Sequence, residues 1–182
     1  MRKKTKIVLG SLVVLLIVVI LFIGFSIAGF THLGLVKEQI VSPRNYTLSD
    51  SIQNVIKEST QGMTEVSIAK YCVELTSEIL DFSEHNDLSN NKANCVGYAT
   101  VCKSICDYAY KVNNMNITVN HVRGYVTNDY NINLCKLLQN IVPTKYKNFV
   151  KDHDFVEIIY DSSIFYVDAT HCEFTGNAII FL

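Results

Sequence analysis

The sequence predicts an α+β domain, helices packed on an antiparallel sheet, preceded by a single N-terminal transmembrane helix. Three observations predict it. An uncharged run of 24 residues, Ile7 to Phe30, stands behind a basic N-terminus. Beyond it, apolar residues recur at helical spacing as far as about Lys111. The remaining text is rich in β-branched residues and turn signals, and helices followed by strands is the order of an α+β domain.

Residues 7–30 read as an uncleaved signal-anchor. At about 1.5 Å per residue the run is about 36 Å long, enough for a hydrocarbon core of about 30 Å. Arg2, Lys3, Lys4 and Lys6 form a cytoplasmic basic flank over residues 1–6, so the positive-inside rule exports the chain beyond residue 30. A cleaved signal peptide is the competing reading, with Ser26 and Ala28 as small residues before a cut. The run is longer than the usual apolar core of about 7 to 15 residues in such peptides. Both readings place residues 31–182 outside the cytoplasm, and the first makes this a single-pass membrane protein.

Residues 31–46 read as a tether, with Pro43 stopping any helical continuation. The folded domain is then expected over 47–182. Thr47-Leu-Ser-Asp50 fits a capping box ahead of Ile52, Val55 and Ile56. A second helix starts near Thr64, with Ile68, Cys72, Leu75, Ile79 and Phe82 on one stripe. A polar loop over 83–94 ends at Asn94, a good N-cap, and Cys95 opens a third helix. Ile117 to Thr127 reads as a strand. Tyr130 to Asn140 reads as a helical insertion ended near Pro143. Asp152 to Tyr160 and Ile164 to Asp168 flank a short turn and read as a hairpin.

Composition narrows the function. With 49% hydrophobic residues, 10 Tyr and 9 Phe, the chain is not disordered. No period of 20 to 50 residues marks a solenoid. A net charge of -1 argues against a nucleic-acid partner, which selects a basic face. All 17 acids but only 12 of the 16 Lys and Arg lie after residue 30, so the exported part carries a formal -5. All six Cys lie in that part, too sparse for a small disulfide scaffold.

Cys95, His153 and Asp168 carry the chemistry. A thiol at a helix N-terminus has its thiolate favoured by the helix dipole. A nearby His takes the proton and returns it to the leaving group. An acid on the other ring nitrogen sets the tautomer. With a two-residue hairpin loop at Asp161 and Ser162, residue 155 faces 168. His153 and Asp168 are then diagonal neighbours on one face, about 7 to 8 Å apart. A three-residue loop would separate them onto opposite faces.

The segments NCVGYATVCKSICDYAYKVNNMNITVNHVRGYV, HDFVEI and FYVDATH resemble the core of transglutaminase-like cysteine enzymes, part of the wider papain-like group. Cys95, Gly97, Tyr98 and Ala99 match the family's nucleophile motif. His153, Phe155 and Glu157 match its strand motif, and Asp168, Ala169 and Thr170 its closing motif. The likeness covers roughly residues 64 to 175. Asp154 stands where the family usually has a small residue. The chain has no Trp, and no side chain matches the family's oxyanion-hole aromatic or amide. The resemblance implies a transglutaminase-like core and a thiol hydrolase or acyltransferase acting on peptide or Gln side-chain amides. Cys95 would form a thioester, with His153 as base then acid and Asp168 orienting it. No cofactor is implied. The partners expected are a peptide or protein substrate and the membrane, through residues 7–30. Hydrolysis is the simpler expectation, since it needs no second binding site.

Other readings stand beside this one. A silent module of the same type would hold a peptide or cell-surface polymer in the same groove. A zinc-binding structural domain would use the Cys-rich helix, although Cys102 and Cys106 lack a partnering ligand pair. Cys95 alone reads as a core thiol. His121 and His171 are rival bases, on a different strand and after Asp168 in the chain.

Overall fold

A computed structural model describes residues 33–42, 46–128, 152–178 and 180–181. Its elements are β1 (Leu33–Ile40), α1 (Asp50–Thr60), α2 (Glu65–Ile79), β2 (Asp81–Phe82), β3 (Lys92–Ala93), α3 (Cys95–Val112), β4 (Thr118–Asn128), β5 (His153–Tyr160), β6 (Ser163–Val167), α4 (Ala169–Thr175) and β7 (Ile180–Phe181). The α+β architecture is as expected. An antiparallel sheet runs in the order β1-β4-β5-β6-β7. α3 packs on β4 and β5, and α2 and α4 pack on α3.

The helix that carries Cys95 is held at both ends and along one side. Asn94 is extended, and its side-chain oxygen accepts from the Val96 N–H at 3.1 Å. One of the helix's orphan donors is thereby satisfied. At the far end Asn114 adopts φ 55, a left-handed stop that Asn tolerates better than most residues. Along the buried side lie Val101, Cys102, Ile105, Cys106 and Ala109, all fully buried. Each buried Val or Ile removes enough apolar surface to contribute about 1.5 to 3 kcal/mol. The Tyr98 hydroxyl donates to the Leu80 carbonyl at 2.7 Å, tying the first turn of α3 to the end of α2.

The sheet is joined by one buried carboxylate. Glu157 on β5 accepts from Lys37 Nζ of β1 at 2.6 Å and from Asn120 Nδ2 of β4 at 3.0 Å. Gly124 of β4 sits where β1 passes closest. A Cβ there would come within 1.8 Å of the Val36 carbonyl oxygen.

Two expectations need correction. The tether read over 31–46 is not a tether over Leu33–Ile40, which pairs with β4 as the first strand of the sheet. Only Leu35 of this strand enters a buried cluster, with Val122 and Phe155. Its apolar alternation is therefore too weak to mark a strand, and β4 supplies what holds it. The cap of α1 falls on Ser49, not Thr47. Leu48 is drawn into the core, so the chain stays extended past Thr47 before the helix starts. The signal-anchor at 7–30 and the helical insertion at 130–140 lie outside the described residues. Among the described residues no helix is long and apolar enough to cross a membrane.

Candidate active site

Each residue of the triad stands at the end of an element, where backbone geometry aims it. Cys95 is the first residue of α3, and it is partly exposed. His153 is the first residue of β5. Asp168 lies just after β6 and caps α4, with Oδ1 accepting from the backbone N–H groups of Thr170 and His171 at 2.9 and 3.1 Å. Those two bonds lock the carboxylate and leave Oδ2 for the imidazole.

The hairpin supplies the meeting of His153 and Asp168. Tyr160 pairs with Ser163, so the loop is the two residues Asp161 and Ser162. Asp161 takes φ 50, a conformation that short hairpin loops need and Asp tolerates. Val156 pairs with Val167, which puts Asp168 opposite Phe155 and diagonal to His153. The His153 ring packs against Phe155, with centroids 6.1 Å apart. His153 Nε2 and Asp168 Oδ2 are 2.6 Å apart. The Cys95 side chain lies close enough to the same ring to help raise its pKa. With Nε2 taken by Asp168, Nδ1 is the nitrogen open to the thiol. The three residues thus form one cluster.

Its electrostatics are set by burial and pairing. Burial alone would push the His153 imidazole down. The charge and hydrogen bond of Asp168, with Cys95 close by, outweigh it and hold His153 well above its ordinary 6.5. Burial would push Asp168 up, but His153 and the His171 N–H hold its carboxyl below the ordinary 3.8. The pair therefore favours an imidazolium beside a carboxylate, next to sulfur.

The other thiols stand apart from this chemistry. Cys72, Cys102 and Cys106 are fully buried. A hydrogen bond to Cys106, together with burial, pushes the Cys102 thiol well above its ordinary value. A hydrogen bond from Cys102 pulls the Cys106 thiol down, yet Cys72 and burial outweigh it and push it up too. Cys135 lies outside the described residues. No group of three His, Cys, Asp or Glu among the described residues is placed to hold a metal ion. A shallow surface pocket lined by Leu48, Tyr108 and Lys111 contains none of the triad. Lys111 stands about 24 Å along α3 from Cys95, at about 1.5 Å per residue.

A second cluster was not legible in the sequence. Asp154 is buried, and it binds His121 Nε2 at 2.8 Å and Arg123 Nε at 2.7 Å. His121, a rival base by sequence, is therefore committed to Asp154. The spacing of His121 and Arg123 puts both on one strand face. Nothing in the sequence sets the register of β4 against β5, because residues 129–152 separate them.

This is the geometry of a thiol–imidazole–carboxylate site on an α+β domain. No family model, curated protein or solved structure matches the chain.

Proposed function

We propose that the protein is a thiol hydrolase of transglutaminase-like type, anchored by residues 7–30 with its domain exported. The observation that carries this reading is the 2.6 Å bond between His153 and Asp168 on a ring that also meets Cys95 at a helix N-terminus.

The chemistry rests on those contacts. His153 Nδ1 takes the Cys95 thiol proton, and the imidazolium is stabilised by Asp168 through Nε2–H. The thiolate attacks the acyl carbon of a peptide or Gln side-chain amide. The carbonyl electron pair moves to oxygen, then returns as the C–N bond breaks. His153 donates its proton to the leaving amine or ammonia, and a thioester remains on Cys95. Water, deprotonated by His153, attacks the thioester. The acid leaves and the thiol is restored. An amine in place of water would give transfer.

Iodoacetamide labelling of the full chain near neutral pH, with mapping of the modified residue, tests the first step. Cys95 is expected to react before Cys72, Cys102, Cys106 and Cys172, and Cys95→Ala to abolish amine or ammonia release from peptide and Gln amides. Faster labelling of Cys102 or Cys106 in the folded chain overturns the assignment. Turnover that survives Cys95→Ala does so as well.

A further inference from the structure

We propose that Asn86 is a positioning residue for the Cys95 nucleophile: from outside α3 it completes the cap that sets the first turn of that helix. This rests on Cys95 being the nucleophile, and it gives a role to the polar loop that precedes it.

A helix start has two donors that side chains often satisfy as a pair. The N-cap side chain takes an N–H of the first turn. A Glu or Gln at the third helical position then reaches back to the N–H of the cap itself. In α3 the first half is ordinary, since Asn94 Oδ1 accepts from the Val96 N–H at 3.1 Å. The third helical position is Gly97, which has no side chain to reach back. Asn86 does so instead, with Oδ1 accepting from the Asn94 N–H at 3.0 Å. The donor is a backbone N–H, so the amide oxygen of Asn86 is the atom that faces the helix.

The fit is close. A Cβ on Gly97 would lie 2.3 Å from that same Asn86 oxygen and 2.6 Å from the Ala93 Cβ. Asn86 therefore fills the space that a side chain of the helix would need. The two N–H groups so held belong to the residues on either side of Cys95. One of the two bonds comes from the helix start and the other from the loop.

The loop is built to hold Asn86 in place. At its base Asp81 and Phe82 pair with Lys92 and Ala93. Beside Asn86, the Asp87 N–H donates to the Lys92 carbonyl at 2.7 Å, and the Lys92 N–H donates back at 3.0 Å. The Asp87 carboxylate accepts from Ser89 Oγ at 2.6 Å and from Asn90 Nδ2 at 2.8 Å. Asn94 Nδ2 closes the arrangement by donating to the Glu84 carbonyl at 3.4 Å.

Charge explains why the acceptor is an amide. A carboxylate at this place would satisfy the same donor, but its charge would disfavour a thiolate one residue away. An amide oxygen caps the helix without that cost, and the positive end of α3 is left to act on Cys95.

The test follows every thiol at once. Sulfur displaces iodide from iodoacetamide, and the rate at each Cys is mapped in the full chain beside the urea midpoint of the same preparation. Asn86→Ala removes the acceptor. Cys95 is expected to label about two- to fivefold more slowly, the range that a helix terminus contributes to a charge beside it. Cys72, Cys102 and Cys106 should label no faster than in wild type. Asn86→Asp keeps the acceptor and adds a charge. Its urea midpoint should equal or exceed that of wild type, because a carboxylate suits a helix N-terminus. Its Cys95 should nevertheless slow by about two- to fivefold, as a like charge at close range requires. Stability and reactivity then move apart, which a purely structural residue would not cause. This second variant also decides the matter should Asn86→Ala fail to fold. An unchanged Cys95 rate in either variant overturns the role of Asn86. Faster labelling of all the thiols together in Asn86→Ala marks general loosening and overturns it as well. A wild-type chain in which Cys95 is not the fastest thiol overturns the nucleophile itself, and the role of Asn86 with it.

Discussion

Asp168 has two duties, and they are separable. One oxygen caps α4 and the other orients His153. Asn caps a helix about as well as Asp, so Asp168→Asn should leave the fold intact. It removes the charge that stabilises the imidazolium, and by the behaviour of hydrolytic triads turnover should fall by about 10⁴. Circular dichroism and amide turnover on the same preparation check both halves. The pair also shapes stability against pH. His153 is held above its ordinary 6.5, so its contribution is full below that value and is lost as pH rises through the raised one. Asp168 is held below its ordinary 3.8, so its contribution is present above that value and is lost as pH falls through the lowered one. The melting-temperature gap between wild type and His153→Gln should therefore be widest between about pH 4 and 6.5 and narrow on either side. A gap that widens from pH 6.5 to pH 9 contradicts the ion pair.

At the level of elements, the start of α3 and the middle of β4 are the sensitive points. Asn94 accepts from Val96 N–H, and its own N–H donates to Asn86 Oδ1 at 3.0 Å. Asn94→Ala should cost about 0.5 to 2 kcal/mol, as cap losses do. Because Cys95 is the next residue, its iodoacetamide rate should fall as well. Urea unfolding and labelling kinetics measure the two effects. Gly124→Ala places a methyl group against the Val36 carbonyl. The contact is with backbone and no flexible side chain can yield, so the strands must part. A loss of about 1 to 3 kcal/mol or more is expected from overpacking, visible as a lower urea midpoint. A neutral result would mean that β1 does not pair closely with β4. The two-residue length of the turn near Asp161 is set by the pairing of Tyr160 with Ser163, but a short turn there is legible in the sequence. Strand β1 is not, because its support comes from Lys37 reaching Glu157, a residue 120 positions away.

For the whole molecule, topology is the open question that an experiment closes. We propose a cytoplasmic N-terminus and an exported domain, on the basic cluster that precedes an uncharged 24-residue run. Protease added to intact cells should degrade the domain while leaving a small membrane-protected fragment. Full protection of the domain until the membrane is opened would reverse the orientation. The -5 formal charge of the segment after residue 30 should keep the domain soluble.

What the sequence determined by itself was local. Helix α3 and its cap at Asn94, helix α2 with its start near Thr64, the strands β4 to β6 and a short turn between the last two all rest on signals within a few residues. The placing of Cys95, His153 and Asp168 at element ends belongs with them, since caps and turns mark ends. The alliance of His121, Arg123 and Asp154, the edge strand β1 and the anchoring of Glu157 were decided only in the tertiary structure. Each depends on strand register, and register between strands far apart in the chain is set by side-chain packing across the whole sheet. No local pattern encodes that packing. A buried carboxylate such as Asp154 therefore looks like a departure from a motif until its partners on the neighbouring strand are seen.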